Sequence, residues 1–240
     1  MKEEVYPMRL NKFLALRGFS TRRGADELIE KKKVFVNGRL AIIGQKVTES
    51  DRVELKDHDT SKYTYLLYYK PRGVITHSPD EGEVDIVTDI LENHGIKGLF
   101  PIGRLDKDSE GLMILTNDGR ITERILNPDI GHEREYEVAV DKRVTQTFLN
   151  RMSKGVRIED YTTKPAVAEL HPKSDHVFTI TLTEGKKHQI RRMCAAMGYQ
   201  VVALKRTRML AFSLKALKPG AVYTLKPKEA QGFQKSLGLK

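Results

Sequence analysis

The stretch Phe100–Gly119, FPIGRLDKDSEGLMILTNDG, holds the densest set of side chains able to do chemistry in the 240-residue chain. An apolar strand end gives way to Gly103-Arg104-Leu105-Asp106, then a polar loop, then the apolar strand Leu112 to Leu115. Asp106 stands between Arg104 and Lys107, and opposite charges nearby favour the ionised carboxylate. A carboxylate held at a strand end beside cations can act as a nucleophile or a base. The blander reading is turn chemistry, since Asp, Ser and Gly populate loops for backbone reasons. Asp108 and Glu110 raise a calcium loop or a glycosidase-like carboxylate pair. Calcium loops need further oxygen ligands in a fixed order that this segment lacks. A glycosidase pair need not be local; here both residues read as turn and surface.

A second constellation is Gly185-Lys186-Lys187-His188-Gln189-Ile190-Arg191-Arg192. Its Gly-Lys is no phosphate-loop fingerprint, because no Ser or Thr follows and the upstream glycine is missing. Arg191 sits one position from Ile190 on the apolar stripe of a helix, so it can point partly inward. A semi-buried arginine needs a carboxylate partner, for which Asp106 is the candidate; the alternative is an exposed basic helix. Tyr136 lies in Glu135-Tyr136-Glu137-Val138, with the alternation of a strand. It either packs in a core or forms a platform for a nucleobase, a contact worth about 1–3 kcal/mol. None of the seven histidines pairs at zinc-ligand spacing. The single cysteine, Cys194, falls on an apolar helix face and reads as core. Metal or thiol chemistry is not supported.

The elements that must carry these residues can be read from periodicity. Leu10, Phe13, Leu14 and Arg17 recur at helical spacing over Arg9 to Arg17, with Gly18 as a stop. Ser20 reads as the N-cap of a second helix through Ala25, Leu28 and Ile29. Arg22 and Arg23 fall in its first turn, where cations oppose the helix dipole, which points to phosphate contact. Val34-Phe35-Val36 then runs into the Asn37-Gly38 turn, and Val53 to Leu55 supplies a partner strand. Residues 57–63 read as a linker between a small domain, 1–56, and a larger one, 64–228, followed by a C-terminal tail, 229–240. In the larger domain strands are expected at Thr64 to Lys70, Gly111 to Thr116, Glu135 to Val140, Ala166 to Leu170, Val177 to Leu182, Val201 to Leu204 and Met209 to Leu214. Helices are expected at Asp118 to Leu126, Val144 to Ser153 and Lys187 to Met197. The fold class is therefore α+β: a small helix–helix–strand domain, then a larger mixed, mainly antiparallel sheet flanked by helices.

Lys plus Arg number 42 against 32 Asp plus Glu, a net charge of +10. That excess points to a polyanion such as nucleic acid, or to an acidic membrane surface. From Glu184 to Lys218 nine basic residues face one acid, a net of 9 − 1 = +8. Hydrophobic residues at 39% suffice for an ordinary core. The longest apolar runs are too short to span a bilayer, and the acidic start MKEEVYPMRL lacks the apolar run of a signal peptide. A soluble, cytoplasmic protein is expected.

GRLDKDSEGL followed by LTNDG resembles the catalytic motif of pseudouridine synthases of the RsuA/RluB/RluE/RluF group. Glu135-Tyr136 and KKHQIRRMCAAMGY fall in the right order for that family's other two motifs. RLNKFLALRGFSTRRGADELIEKKKVFVNG resembles the ribosomal-protein-S-four-like RNA-binding domain, and IRRMCAAMGYQVVALKRTRMLAFSL is most similar to the RluF branch. Gly24, inside the second helix, departs from good helix chemistry by up to about 1 kcal/mol relative to Ala.

The resemblance implies isomerisation of a uridine to pseudouridine in RNA, with the base flipped out of its stack and with no metal or organic cofactor. It implies Asp106 as the essential carboxylate, Tyr136 stacked on the uracil, Arg191 ion-paired with Asp106, Ile190 in an apolar pocket and Arg104 on the displaced RNA. Arg9, Lys12, Arg22, Arg23, Lys187, Arg192, Arg206 and Arg208 are expected to bind RNA. The partner is then ribosomal RNA, large-subunit (23S) RNA above all, with small-subunit RNA or a tRNA stem-loop as alternatives; the protein would be a monomer without a required protein partner. A non-catalytic ribosome-assembly factor and a hydrolytic base-removing enzyme are the competing classes. Replacing both Arg22 and Arg23 with Ala is expected to weaken RNA binding and to flatten its salt dependence, read from dissociation constants across a salt series.

Overall fold

The computed structural model describes residues 6–16, 22–56, 63–76, 84–96, 98–159, 161–214 and 217–239. Two compact units divide the chain: residues 1–65 with 116–125 and 225–240, and residues 66–115 with 126–224. The elements begin with β1 (Met8–Arg9), α1 (Leu10–Leu16), α2 (Arg22–Glu30), β2 (Val34–Val36), β3 (Arg39–Leu40), β4 (Lys46–Val47) and β5 (Val53–Leu55). Leu10 and Leu14, then Ala25 and Ile29, are buried with Val34, Val36 and Val47 in one core; each helix thus turns a four-residue spacing inward. Asn11 donates to the Asp26 carboxylate at 3.1 Å and ties the helices together. The Asn37-Gly38 turn is as expected, with φ of 50° and 76°, and joins β2 to β3, while β5 pairs on the other side of β2. Gly18, Ser20 and the expected linker 57–63, except Tyr63, lie outside the described residues.

Along the rest of the chain come β6 (Tyr65–Lys70), α3 (Ile86–His94), β7 (Phe100–Ile102), β8 (Glu110–Thr116), α4 (Arg120–Leu126), β9 (Arg134–Val140) and α5 (Gln146–Lys154). They are followed by β10 (Arg157–Ile158), β11 (Tyr161–Thr162), β12 (Val167–Leu170), β13 (Val177–Leu182), α6 (Gln189–Ala195), β14 (Val201–Met209), β15 (Phe212–Ser213), β16 (Val222–Thr224) and α7 (Pro227–Ser236). A nine-stranded sheet is built in the order β12-β13-β9-β14-β8-β6-β16, with β15 on β14 and β7 on β8. β14 lies antiparallel to β9 and parallel to β8. One core, with Val138, Phe148, Met152, Phe178, Ile180, Ile190 and Met193, packs on α5 and α6. The other, with Leu66, Tyr68, Ile86, Ile90, Leu105 and Met113, packs on α3.

Three local expectations need correcting. β14 is one nine-residue strand, where separate strands ending at Leu204 and starting at Met209 were expected. The intervening Lys-Arg-Thr-Arg looked too polar for a sheet, but β9 supplies matching acids. Lys205 pairs with Glu137 at 2.6 Å, and Thr207 donates to Glu135 at 2.8 Å, the cross-strand pairing that stabilises a sheet. α3 was not anticipated, although Asp85 caps it by accepting from Thr88 N at 2.7 Å and Gly95 closes it in the left-handed region. Residues 229–240, expected as a tail, lie mostly in α7, whose basic sequence hides Phe233 and Leu237 at a four-residue spacing, both buried.

Within the first unit, Phe233 stands edge-on to Tyr65, with ring centroids 5.4 Å apart at 89°. Gln234 Nε2 donates to the Tyr65 hydroxyl at 2.8 Å, and that hydroxyl donates to buried Asp118. Asp118 also receives Arg120 in a two-point pair at 2.8 and 2.9 Å. Among the described residues no helix is long and apolar enough to cross a membrane. Because Phe233 is 6% exposed, Phe233→Ala is expected to lower the unfolding free energy by about 3–5 kcal/mol, measured by urea denaturation. Truncating exposed Lys228 should leave it within about 0.5 kcal/mol.

Candidate active site

The loop between β7 and β8 presents Asp106 because its neighbours are tied down. Leu105 is 8% exposed and belongs to the α3-side core. Thr76 clamps it from both ends: its hydroxyl donates to the Leu105 carbonyl at 2.6 Å and accepts from the Leu105 amide at 3.1 Å. The Asp106 carbonyl then accepts from Ser109 N at 3.0 Å, closing a tight turn that starts at Asp106 and carries Lys107 and Asp108 at its tip. With Leu105 held inward and Ser109 fully buried, the Asp106 side chain is left partly exposed at the surface.

Lys70, at the end of β6, supports this loop from below. Its ammonium group donates to the carbonyls of Pro71 at 2.9 Å, Val74 at 2.6 Å and Lys107 at 3.4 Å. The side chain is fully buried, and burial pulls its pKa down to about 8, against the opposing pull of Asp106, Asp108 and Glu110. Gly73 N adds a bond to the Lys107 carbonyl at 2.8 Å.

The other wall comes from the segment entering α6. Glu184 is 4% exposed and accepts from the Tyr161 hydroxyl, from Lys164 N at 3.0 Å and from Gln189 Nε2 at 2.8 Å. Gln189 Oε1 in turn accepts from Lys186 N at 2.9 Å. Three neutral donors on one buried carboxylate satisfy it without a cation and hold residues 184–189 in one shape. His188 follows in the left-handed region, with φ 52° and ψ 29°. Its Nε2 lies 3.4 Å from Asp106 Oδ1.

Arg191 does not pair with Asp106, which corrects the ion pair implied by the resemblance. Its guanidinium donates to the Val201 carbonyl at 3.3 Å and to Ser109 Oγ at 3.4 Å. It therefore reaches the Asp106 turn through Ser109, three residues further on. Tyr136 is half-buried and packs against both cores of this unit, the one containing Leu105 and the one containing Ile190. Ile190 is 4% exposed. His188, and Arg191 by way of Ser109, thus meet the Asp106 turn, while Tyr136 and Ile190 share one core.

The expected RNA contacts divide. Arg9, Lys187 and Arg104 are exposed, and Lys12 is partly so. The Arg22 and Arg23 side chains lie outside the described residues, although both residues open α2. Arg192 pairs with Glu159 at 2.7 Å, and Arg208 with Glu133 at 3.0 Å. Arg206 corrects its expectation: it is 2% exposed, donates from Nε to the Leu112 carbonyl at 2.7 Å, and is no surface contact. The physical reason is register, since Arg206 pairs with Tyr136 on one side and Gly111 on the other, inside the sheet. Cys194 is fully buried, and burial pushes its thiol up to about 12, which leaves it protonated packing. Among the described residues no group of three His, Cys, Asp or Glu could hold a metal ion.

Sequence reasoning missed Lys70, Ser109, Glu184, Gln189 and His188. A lysine closing the otherwise apolar run YLLYYK was a readable signal.

Residues 64–196 match the family described as RNA pseudouridylate synthase, and residues 8–53 match the S4 domain. The chain is 41% identical over 218 residues to the dual-specificity RNA pseudouridine synthase RluF of Escherichia coli strain K12, covering 89% of this chain and 73% of that protein. It is 36% identical over 230 residues to the ribosomal large subunit pseudouridine synthase B of Bacillus subtilis strain 168, covering 93% and 94%. A solved pseudouridylate synthase superposes with a TM-score of 0.68 at 28% identity, covering 96% of this chain and 99% of its own.

The lysine beneath the loop has a measurable consequence. Unfolded, it keeps its proton up to 10.5, but folded only to about 8, so between these values the unfolded state holds more protons and stability rises with pH. The unfolding free energy of the wild type, relative to Lys70→Met at each pH, is accordingly expected to climb across that window and to be flat below it.

Proposed function

Because the chain belongs to the RNA pseudouridylate synthase family, we propose that Asp106 is the residue at which it turns a uridine of RNA into pseudouridine. The N1–C1′ glycosidic bond breaks, the uracil turns over, and a C5–C1′ bond forms; the proton leaving C5 is balanced by one gained at N1. The reaction is an isomerisation, balanced without a co-reactant. The observation that carries the assignment of Asp106 is its place at the head of a clamped turn, with Ser109 closing that turn and Arg191 bonded to Ser109, and Tyr136 packed on the two flanking cores.

In this reading Tyr136 stacks on the flipped uracil, Ile190 supplies the apolar wall, and Arg104 contacts the RNA left behind. Arg191 acts on the Asp106 turn through Ser109. Residues 1–56 form the RNA-binding domain and residues 64–228 the catalytic domain. Arg9, Lys12, Arg22, Arg23 and Lys187 meet phosphates, which position the RNA without reading its sequence. The substrate is ribosomal RNA, with the large subunit favoured by the name of the Bacillus relative, similar over nearly its whole length. Looped or single-stranded uridines suit a base that must leave its stack.

The test is tritium release from RNA labelled at uracil C5. Asp106→Asn is expected to abolish release while RNA affinity stays within about twofold, the pattern of an interaction made only in the transition state. Retained turnover would remove Asp106 from this role, and free uracil among the products would mark a hydrolase instead.

A further inference from the structure

We propose that His188 is a positioning residue for the reacting carboxylate, holding Asp106 by a hydrogen bond to Oδ1. The inference rests on the reading of Asp106 above. Among the described residues, His188 is the only side chain in ion-pair range of Asp106, at 3.4 Å from Nε2 to Oδ1. Arg191, the partner implied by the resemblance, is engaged with Ser109 and Val201 instead.

The backbone of His188 supports the same conclusion. It stands at the N-cap position of α6, yet its side chain makes no capping bond, so the imidazole is not spent on the helix. Its φ of 52° lies in the left-handed region, which a side-chain-bearing residue adopts only where its surroundings over-determine it. Those surroundings are the buried Glu184 and Gln189 bonds, which hold the backbone from 184 to 189. A strained residue, fixed by a buried polar network and aimed at a carboxylate, is the arrangement that pre-organises a site.

With its proton on Nε2 the imidazole donates to Oδ1. That bond stops the carboxylate from rotating and leaves Oδ2 to face the sugar. At 3.4 Å the pair is within ion-pair range but longer than an ordinary N–H···O bond, and the proposed role requires it to tighten as the carboxylate reacts. The competing role is a phosphate contact, since His188 is 48% exposed and follows Lys186 and Lys187.

Two variants of the full chain separate these roles. Asn tolerates the left-handed backbone but is too short to reach Oδ1, whereas Gln carries an amide nitrogen where Nε2 stood. The probe is total RNA labelled at uracil C5 from cells lacking the gene, treated with enzyme in excess. His188→Asn is expected to lower the saturating rate constant about ten- to a hundredfold, with an unchanged half-saturating enzyme concentration. His188→Gln should recover most of that loss. An unchanged rate with a raised half-saturating concentration overturns the proposal in favour of phosphate contact, and failure of Gln to rescue overturns it in favour of a merely structural role. Asp106→Asn, run in parallel, keeps the two readings apart: if it is inactive while His188→Asn matches wild type, only the role of His188 fails. If Asp106→Asn turns over like wild type, the reading of Asp106 falls and this inference with it.

Discussion

The second unit depends on the close approach of β8 and β14 at Gly111. Gly111 has φ 120°, and a Cβ added there would lie 2.4 Å from the Arg206 carbonyl oxygen. No other residue type fits such a backbone contact. The parallel ladder it permits, Lys205 to Glu110 and Arg206 to Gly111, joins two halves that meet nowhere else along the sheet path. On one side β8 continues from the Asp106 turn; on the other β14 follows α6 and pairs with the strand bearing Tyr136. The strand leaving the Asp106 turn and the strand bearing Tyr136 are therefore joined through β14 by a contact between segments about 95 residues apart in sequence.

Upon that frame sits a division of labour between buried and exposed polar groups. Thr76, Lys70, Glu184 and Gln189 are all buried, and each directs hydrogen bonds to loop backbone or to one another, Glu184 accepting from the Tyr161 hydroxyl as well. None needs to touch substrate to matter, because a buried polar group without partners is costly and one with them fixes geometry. The partly exposed Asp106 and the exposed His188 are thereby held on loops that stay in place.

Much of this was legible in the residues. The strand at Val177–Leu182 and the Asn37-Gly38 hairpin follow from alternation and turn chemistry; of the candidate site, the polar loop carrying Asp106 between two strands was readable, whereas the places of His188, Ser109 and Lys70 around it were not. What was not legible depends on partners distant in sequence. The polar Lys205–Arg208 stretch becomes strand because Glu135 and Glu137 stand across from it. The segment after Lys226 becomes helix with Phe233 against Tyr65. Of the two readings of Arg191, partly inward or on an exposed basic helix, the structure has it partly inward, with a serine hydroxyl rather than the aspartate as partner; spacing along a helix gives direction, not the identity of what waits there.

The internal matching of cations also changes what a charge count means. Of the nine basic residues between Glu184 and Lys218, Lys205, Arg192 and Arg208 face glutamates, Arg191 is bound to Ser109 and Val201, and Arg206 is inside the sheet. A cation already neutralised or shut away condenses few ions from solution on its own account and displaces few from a nucleic acid. The formal surplus of this segment is thus mostly mortar between strands, and the long-range field that draws a polyanion comes from a smaller set, with Lys186, Lys187 and Lys218 standing exposed in it.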